Sequence, residues 1–295
     1  MSSALAAGTA PNVVASIRPL HGLVAAVMDG IGEPDLLVSG AQSPHHFTLT
    51  PSAAKRLQRA DVVFVIGLGL MPGLERAIGP LAAKARVVDL SHAPGLRLLP
   101  LRGLHREGEN DDEHAHGHSH GHRGDDPHYW LDPLNAKAMT KAIAAALAEA
   151  DPKNAASYRR RAATLERNLE QLYESADKDL APVRTRPFIV YHDAFQYLEK
   201  RFGLRSTGAI AQTPETAPGA QRMRATQNTI RELDRPCVFT EPGARPKLLD
   251  TLIAGADARV AVIDPLGTAV ERGPRHYFSM TMNNIEAIAG CLGRP

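Results

Sequence analysis

The feature that most constrains the fold is one long helical segment, residues 153–180, that lies between two series of alternating strands and helices. The segment contains no glycine or proline, and leucines recur along it at Leu165, Leu169 and Leu172, with arginines and glutamates on the other faces. Helical geometry makes a segment of about 28 residues roughly 40 Å long. We therefore expect a rigid connecting helix with an α/β lobe on either side of it.

Apolar, β-branched runs alternate with helical patterns on both sides of this segment. On the N-terminal side we expect strands at residues 12–17, 35–38, 62–66 and 86–90. On the C-terminal side we expect strands at residues 188–191, 206–211, 237–240 and 259–263. Continuous apolar strands separated by helices are typical of parallel sheets that helices cover. The sequence therefore predicts an α/β fold with two (β/α) lobes, at residues 11–150 and 183–295, bridged by a helix at residues 153–181.

Composition and charge argue against several classes of function. Hydrophobic residues make up 43% of the 295 residues and charged residues 22%, as in an ordinary globular protein. A formal net charge of +2 and few aromatic residues give no electrostatic case for binding nucleic acid. No apolar run approaches the roughly 20 residues that cross a bilayer. The small residues at positions 1–11 fit either a flexible tail or the remainder of a trimmed signal peptide.

Polar side chains follow several predicted strands, at the edge where parallel sheets bind ligands. His45 follows the second strand, and His192, Glu241 and Asp264 end three of the C-terminal strands. His128 lies just before a predicted helix. Imidazole nitrogens with at most one carboxylate are the ligands that zinc needs. The sequence therefore predicts a zinc site at these strand ends.

Each of these residues also has a purely structural interpretation. A single histidine is more often a hydrogen-bonded surface or core residue than a ligand. We assign three other histidines to that class: His21, His92 and His276. His46 is an alternative ligand to its neighbour His45, Glu241 also fits a helix cap, and Asp264 before a proline fits a turn.

A histidine-rich stretch interrupts the periodic pattern at residues 101–127. It is polar and rich in glycine, so we expect a mobile loop that cannot bury enough apolar surface to order itself. Five histidines alternate there with small residues, after an upstream His105: His114, His116, His118, His120 and His122. Such a run has no use in packing and indicates auxiliary metal binding. Because a flexible loop holds no fixed geometry, these sites should be weaker than the main one.

The two cysteines, Cys237 and Cys291, leave two alternatives open. They are either two buried thiols or the two halves of a disulfide. A disulfide would close a long loop, stabilise the fold by roughly 4 kcal/mol in the chain-entropy model and require an oxidising compartment.

Several short blocks resemble the zinc-specific solute-binding proteins of bacterial ABC importers, the ZnuA type. The blocks run in the family's order from about residue 12 to the C-terminus: S-I-R-P-L-H at residues 16–21, S-P-H-H-F-T-L-T-P-S at 43–52, A-D-V-V at 60–63, D-P-H-Y-W-L-D-P at 126–133, Y-H-D-A-F at 191–195, T-E-P at 240–242 and D-P-L-G at 264–267. This resemblance implies two lobes bridged by a long helix, with the metal held in the cleft.

The resemblance also implies a ligand set. It implies zinc ligands at His45, His128 and His192, and the imidazole at the third position favours zinc where manganese-binding relatives have a glutamate. A matching aspartate implies Asp264 as the fourth ligand. Some zinc members use a glutamate just before the first histidine instead, but Pro44 stands there in this chain, so water is the remaining alternative.

The function that follows from the resemblance is a high-affinity receptor that captures Zn²⁺ in the periplasm and delivers it to the permease of an ABC importer. Zinc-type members carry a histidine-rich loop, and some carry a C-terminal disulfide, which the pair Cys237–Cys291 fits. We expect a monomer without enzymatic activity. Two alternatives are a zinc-dependent hydrolase, although H-E-x-x-H and G-x-S-x-G are absent, and a metal buffer or chaperone that uses only the histidine run.

Overall fold

The computed structural model describes residues 10–38, 42–102, 124–211, 213–244 and 246–294. Contacts between residues divide the chain into two units. Unit 1 consists of Met1–Leu96, Lys137–Leu169 and Val270–Tyr277. Unit 2 consists of Arg97–Ala136, Glu170–Ala269 and Phe278–Pro295. The lobe boundaries expected from the sequence follow chain order and stay a prediction.

Each unit contains one parallel sheet of four strands within the described residues. The strands of unit 1 are β1 Val13–Ala15, β2 Asp35–Leu36, β3 Val62–Val65 and β4 Arg86–Asp89, in the order β2-β1-β3-β4. The strands of unit 2 are β5 Phe188–His192, β6 Ser206–Ala211, β7 Cys237–Thr240 and β8 Arg259–Val262, in the order β6-β5-β7-β8. All neighbouring strands pair in parallel. The predicted α/β fold with two parallel lobes is confirmed.

The helices of the described residues alternate with these strands. They are α1 Arg18–Met28, α2 Pro51–Arg59, α3 Pro72–Leu81, α4 Pro133–Ala150, α5 Ala155–Leu180, α6 Gln196–Phe202, α7 Ala220–Glu232, α8 Pro246–Ile253 and α9 His276–Leu292. Helix α5 confirms the predicted long helix, and its start moves to Ala155 because a 3-10 turn at Pro152–Asn154 precedes it. Within the described ranges, none of the helices has both the length and the apolar character of a membrane span.

The central strands β3 and β5 are buried along their whole length. Every residue of β3 is at most 1% exposed, as its continuous apolar run predicts. Along α5, Leu165, Leu169 and Leu172 are all buried, so the leucines form the inward face of this helix.

A disulfide joins Cys237 in β7 to Cys291 in α9, with Cα atoms 6.1 Å apart. Both residues are buried and belong to unit 2. Of the two alternatives for the cysteines, the structure confirms the disulfide. The bond attaches the last helix to a central strand of the sheet in unit 2.

His21 is a buried histidine of unit 1 that contacts a backbone carbonyl. An imidazole nitrogen (Nε2) lies 2.9 Å from the carbonyl oxygen of Pro34. Burial lowers the pKa of His21 below its usual value. The contact with Pro34 opposes this effect, the nearby Arg272 and His276 add to it, and Asp35 opposes it weakly.

We expect His21 to make unit 1 less stable as the pH falls below about 6.5, the ordinary pKa of an unfolded histidine. Below this pH the imidazole is protonated in the unfolded chain but stays neutral in the folded one. The free energy of unfolding therefore falls as the pH falls, by at most about 1.4 kcal/mol per pH unit. Urea unfolding of the wild type and of His21→Gln, which keeps an N–H donor for Pro34, measures this effect between pH 7.5 and 5.5. Equal losses of unfolding free energy in both proteins would contradict it.

Candidate metal centre

Two of the predicted ligands, His128 and His192, lie side by side in unit 2. His192 is the last residue of β5, and His128 immediately precedes the 3-10 turn Tyr129–Leu131. The centroids of the two imidazole rings are 5.0 Å apart, and the rings are inclined by 76°. The residues are only 5% and 2% exposed. A buried pair of imidazoles at the carboxyl end of a parallel strand is suited to binding a metal ion.

Asp126 fixes the orientation of His128. Its Oδ1 atom accepts a hydrogen bond from the backbone N–H of His128 at 2.9 Å and lies 2.7 Å from the imidazole Nδ1. A carboxylate in this position keeps the proton on Nδ1, which leaves Nε2 to bind a metal. Burial raises the pKa of Asp126 to about 6, against the opposing effects of the His128 backbone, Arg102 and His192. No role was predicted for Asp126, although its spacing of two residues before a histidine is a signal that identifies such a partner.

Glu241 lies beside His192. It follows the end of β7, is 7% exposed, and its Oε1 atom lies 3.3 Å from the imidazole Nδ1 of His192. Burial raises the pKa of Glu241 above its usual value, the contact with His192 lowers it, and Asp264 and Glu215 raise it. A carboxylate oxygen next to Nδ1 leaves Nε2 of His192 as the nitrogen suited to bind a metal.

The carboxylate of Asp264 is engaged by its own loop. Its Oδ1 accepts hydrogen bonds from the backbone N–H groups of Leu266 and Gly267, both at 2.9 Å. Its Oδ2 accepts from the backbone N–H and the hydroxyl of Thr268, at 2.5 and 2.6 Å. A carboxylate has about four lone-pair sites, and these donors occupy them. The turn expected at Asp264 is therefore present, while ligation of a metal by this residue stays a prediction.

His45 belongs to unit 1, where it lies in the 3-10 turn Pro44–His46. The backbone N–H of Phe47 closes this turn on the carbonyl oxygen of Pro44 at 3.3 Å. His45 is half-buried and its alternative, His46, is exposed. This difference favours His45 as the ligand. The auxiliary positions lie outside the described residues: His105, His114, His116, His118, His120 and His122.

Comparison with known proteins decides which family this chain represents. The family model described as "Zinc-uptake complex component A periplasmic" matches residues 13–291. The chain belongs to this family. A high-affinity zinc uptake system protein ZnuA from Brucella suis is 40% identical, over 98% of this chain and 93% of the relative. The protein of the same name from Paracoccus denitrificans is 34% identical, over 96% of this chain and 92% of the relative.

The fold of this zinc-uptake family member is also that of a solved relative. A structure titled "Crystal structure of ZnuA" superposes with a TM-score of 0.79 at 25% identity, and the match covers 96% of this chain and 99% of the other. The family resemblance stated from the sequence blocks is thereby confirmed, and so is the two-lobed architecture that it implies.

In this family member, the turn that carries His45 packs tightly against the start of α3. Gly73, in the first turn of α3, faces the backbone of Phe47, and a Cβ atom at this position would overlap the carbonyl oxygen of Phe47. Only glycine allows such a close approach of two backbones. Gly73 therefore helps to set the position of the turn, and no role was predicted for it because the contact joins segments that are apart in the sequence.

Proposed function

We propose that this protein is a receptor that captures Zn²⁺ in the periplasm and delivers it to the membrane permease of an ABC importer. The observation that carries the proposal is the buried pair His128 and His192, with a carboxylate beside each imidazole, in a member of the zinc-uptake family. The name of the Brucella relative, a high-affinity zinc uptake system protein, supports the same function.

In this proposal, His45 supplies the third imidazole, as expected for a member of the zinc-uptake family. Three imidazole nitrogens suit Zn²⁺, whereas oxygen donors suit Mn²⁺ and Mg²⁺. The three neutral ligands leave the double positive charge of zinc in place. Asp126 and Glu241, behind His128 and His192, offset this charge without binding the ion themselves.

The fourth ligand is proposed to be either Asp264 or water. Asp264 would have to exchange at least one of the hydrogen bonds that its loop donates to it. Water fills the fourth position of a three-histidine zinc site as long as those bonds persist. The auxiliary histidines are proposed to bind zinc more weakly and to raise its concentration near the main site.

Zinc uptake by cells that carry the permease tests the proposed function. Cells that make the wild-type receptor should accumulate zinc from a chelated medium, and cells that make His45→Ala/His128→Ala/His192→Ala should not. His46→Ala is the matched control, since it removes the exposed neighbour of His45. Equal uptake by the wild type and the triple variant would overturn the proposal.

We expect Gly73→Ala to weaken zinc binding by several-fold without unfolding the protein. The added methyl group must push away the Phe47 carbonyl, and with it the turn that carries His45. Gly69→Ala is the control, because a Cβ atom there meets no atom within 4 Å. Competitive titration with a zinc chelator measures both variants, and equal affinity of Gly73→Ala and Gly69→Ala would contradict the expectation.

A further inference from the structure

Two short segments of unit 2 pair with each other close to the metal ligands. Pro100 and Asp125 form an antiparallel bridge. On either side of it, the N–H of Leu101 donates to the carbonyl of Gly124 at 3.1 Å, and the N–H of Asp126 donates to the carbonyl of Leu99 at 2.8 Å. We call residues 99–102 and 124–126 the base ladder. Asp126, which orients His128, is therefore part of this ladder.

Helix α6 holds the base ladder through two side chains. The hydroxyl of Tyr197 accepts a hydrogen bond from the N–H of Leu99 at 2.9 Å and donates one to the carbonyl of Asp126 at 2.8 Å. The side-chain amide of Gln196 donates to the carbonyl of Pro100 at 3.2 Å. Tyr197 thus ties both segments of the ladder to one helix, and the backbone of Asp126 is fixed at both its N–H and its carbonyl.

Arg102 fastens the end of the ladder with a forked set of charged hydrogen bonds. Its guanidinium donates to both carboxylate oxygens of Glu199 at 2.7 Å, and its Nε donates to Asp193 at 2.8 Å. Glu199 is 3% exposed and also accepts from the hydroxyl of Ser206 at 3.0 Å. Asp193 directly follows His192 in the chain. A forked arginine–carboxylate contact of this kind fixes geometry better than a single ion pair does.

We propose that Arg102 is a positioning residue for the metal centre. Arg102 holds the base ladder on α6, and it thereby keeps Asp126 in contact with His128 and keeps the turn after His192 in place. This inference rests on the proposed function, since it concerns how the same ligands are oriented. Arg102 does not bind the ion. It acts through Asp126 on one ligand and through Asp193 on the other.

Arg102 also places a positive charge beside two carboxylates of this region. One belongs to Glu199 in α6, and the other belongs to Asp193, the residue after His192.

Arg102→Lys tests the proposal, because lysine keeps the charge but cannot form the fork. We expect the dissociation constant for Zn²⁺ to rise about 10-fold, as is typical when an outer partner of a metal ligand is changed. We also expect the visible absorption bands of bound Co²⁺ to change and the amide hydrogens of Leu101 and Asp126 to exchange faster. Arg235→Lys is the matched control, since Arg235 pairs with Asp257 in the same unit and its replacement should leave all these quantities unchanged.

A second variant separates positioning from general loss of stability. Arg102→Met with Glu199→Gln removes the fork without leaving Glu199 as a buried unpaired charge. If both variants are folded by circular dichroism and bind Zn²⁺ and Co²⁺ as the wild type does, Arg102 is not a positioning residue. If the variant with all three ligand histidines replaced still binds zinc tightly, the proposed function fails instead.

Discussion

Replacing His45, His128 and His192 together by alanine is expected to abolish the tight zinc site and to leave any weaker binding in place. His128 and His192 are buried, and each has a carboxylate oxygen near its Nδ1. Loss of an outer partner already costs about 10- to 100-fold in metal affinity, and the loss of three ligands must cost more. Competitive titration of the purified protein with a zinc chelator measures the dissociation constant and the number of sites.

Because the chain also contains a histidine-rich stretch, this titration distinguishes a zinc receptor from a metal buffer. A receptor loses its tight site in the triple variant and keeps only the weaker sites that His114, His116, His118, His120 and His122 are predicted to supply. A metal buffer that uses the histidine run alone would bind zinc as tightly as before. That outcome would mean that the histidine-rich stretch, and not the histidine pair of unit 2, is the tight zinc site. A control that replaces the exposed His46 alone should titrate as the wild type does.

Removal of the disulfide by Cys237→Ala/Cys291→Ala is expected to lower the free energy of unfolding by about 4 kcal/mol, from the entropy of a loop of this size in the unfolded chain. The two cysteines are separated by 54 residues and tie α9 to a central strand of unit 2. For a chain of this length, the loss corresponds to a fall in melting temperature of roughly 10 °C. Thermal unfolding of the metal-free protein measures it, because bound zinc would stabilise the folded state by mass action.

Two further samples separate the covalent bond from the change of side chains. The wild type treated with a reductant should lose a similar amount of stability as the double variant. The double variant itself should be insensitive to the reductant. A wild type whose melting temperature does not respond to reduction, with loss of the bond verified by thiol titration, would show that the disulfide contributes little to stability.

The sequence predicted most of the fold because its local signals agree with the tertiary structure. The run Val62–Val65 reads as a buried strand and is one, since a strand covered on both faces needs apolar residues at every position. The long segment without glycine or proline forms α5, and its leucines face inward. Boundaries moved by a few residues where 3-10 turns precede helices, as at Pro152–Asn154.

The sequence also pointed to two histidines that the structure places side by side, since His192 ends a strand and His128 lies within a distinctive motif. The contact of Asp126 with His128 joins residues two positions apart, so the sequence holds a local signal for it, although no role was predicted for Asp126. The tight packing of Gly73 on Phe47 and the fork of Arg102 on Glu199 are different. They join segments that only the fold brings together, and no periodic pattern in the sequence records them.

What the sequence determined by itself is the α/β class, the long helix and the residue types of a zinc site, because these follow from local periodicity and from the chemistry of imidazole. Only the tertiary structure decided which carboxylate lies beside His192. Strand β7 pairs with β5 in the sheet, so Glu241, after the end of β7, comes to lie beside His192 at the end of β5. The order of strands in a sheet depends on how helices pack on its faces, and this is a property of the whole unit rather than of any one segment.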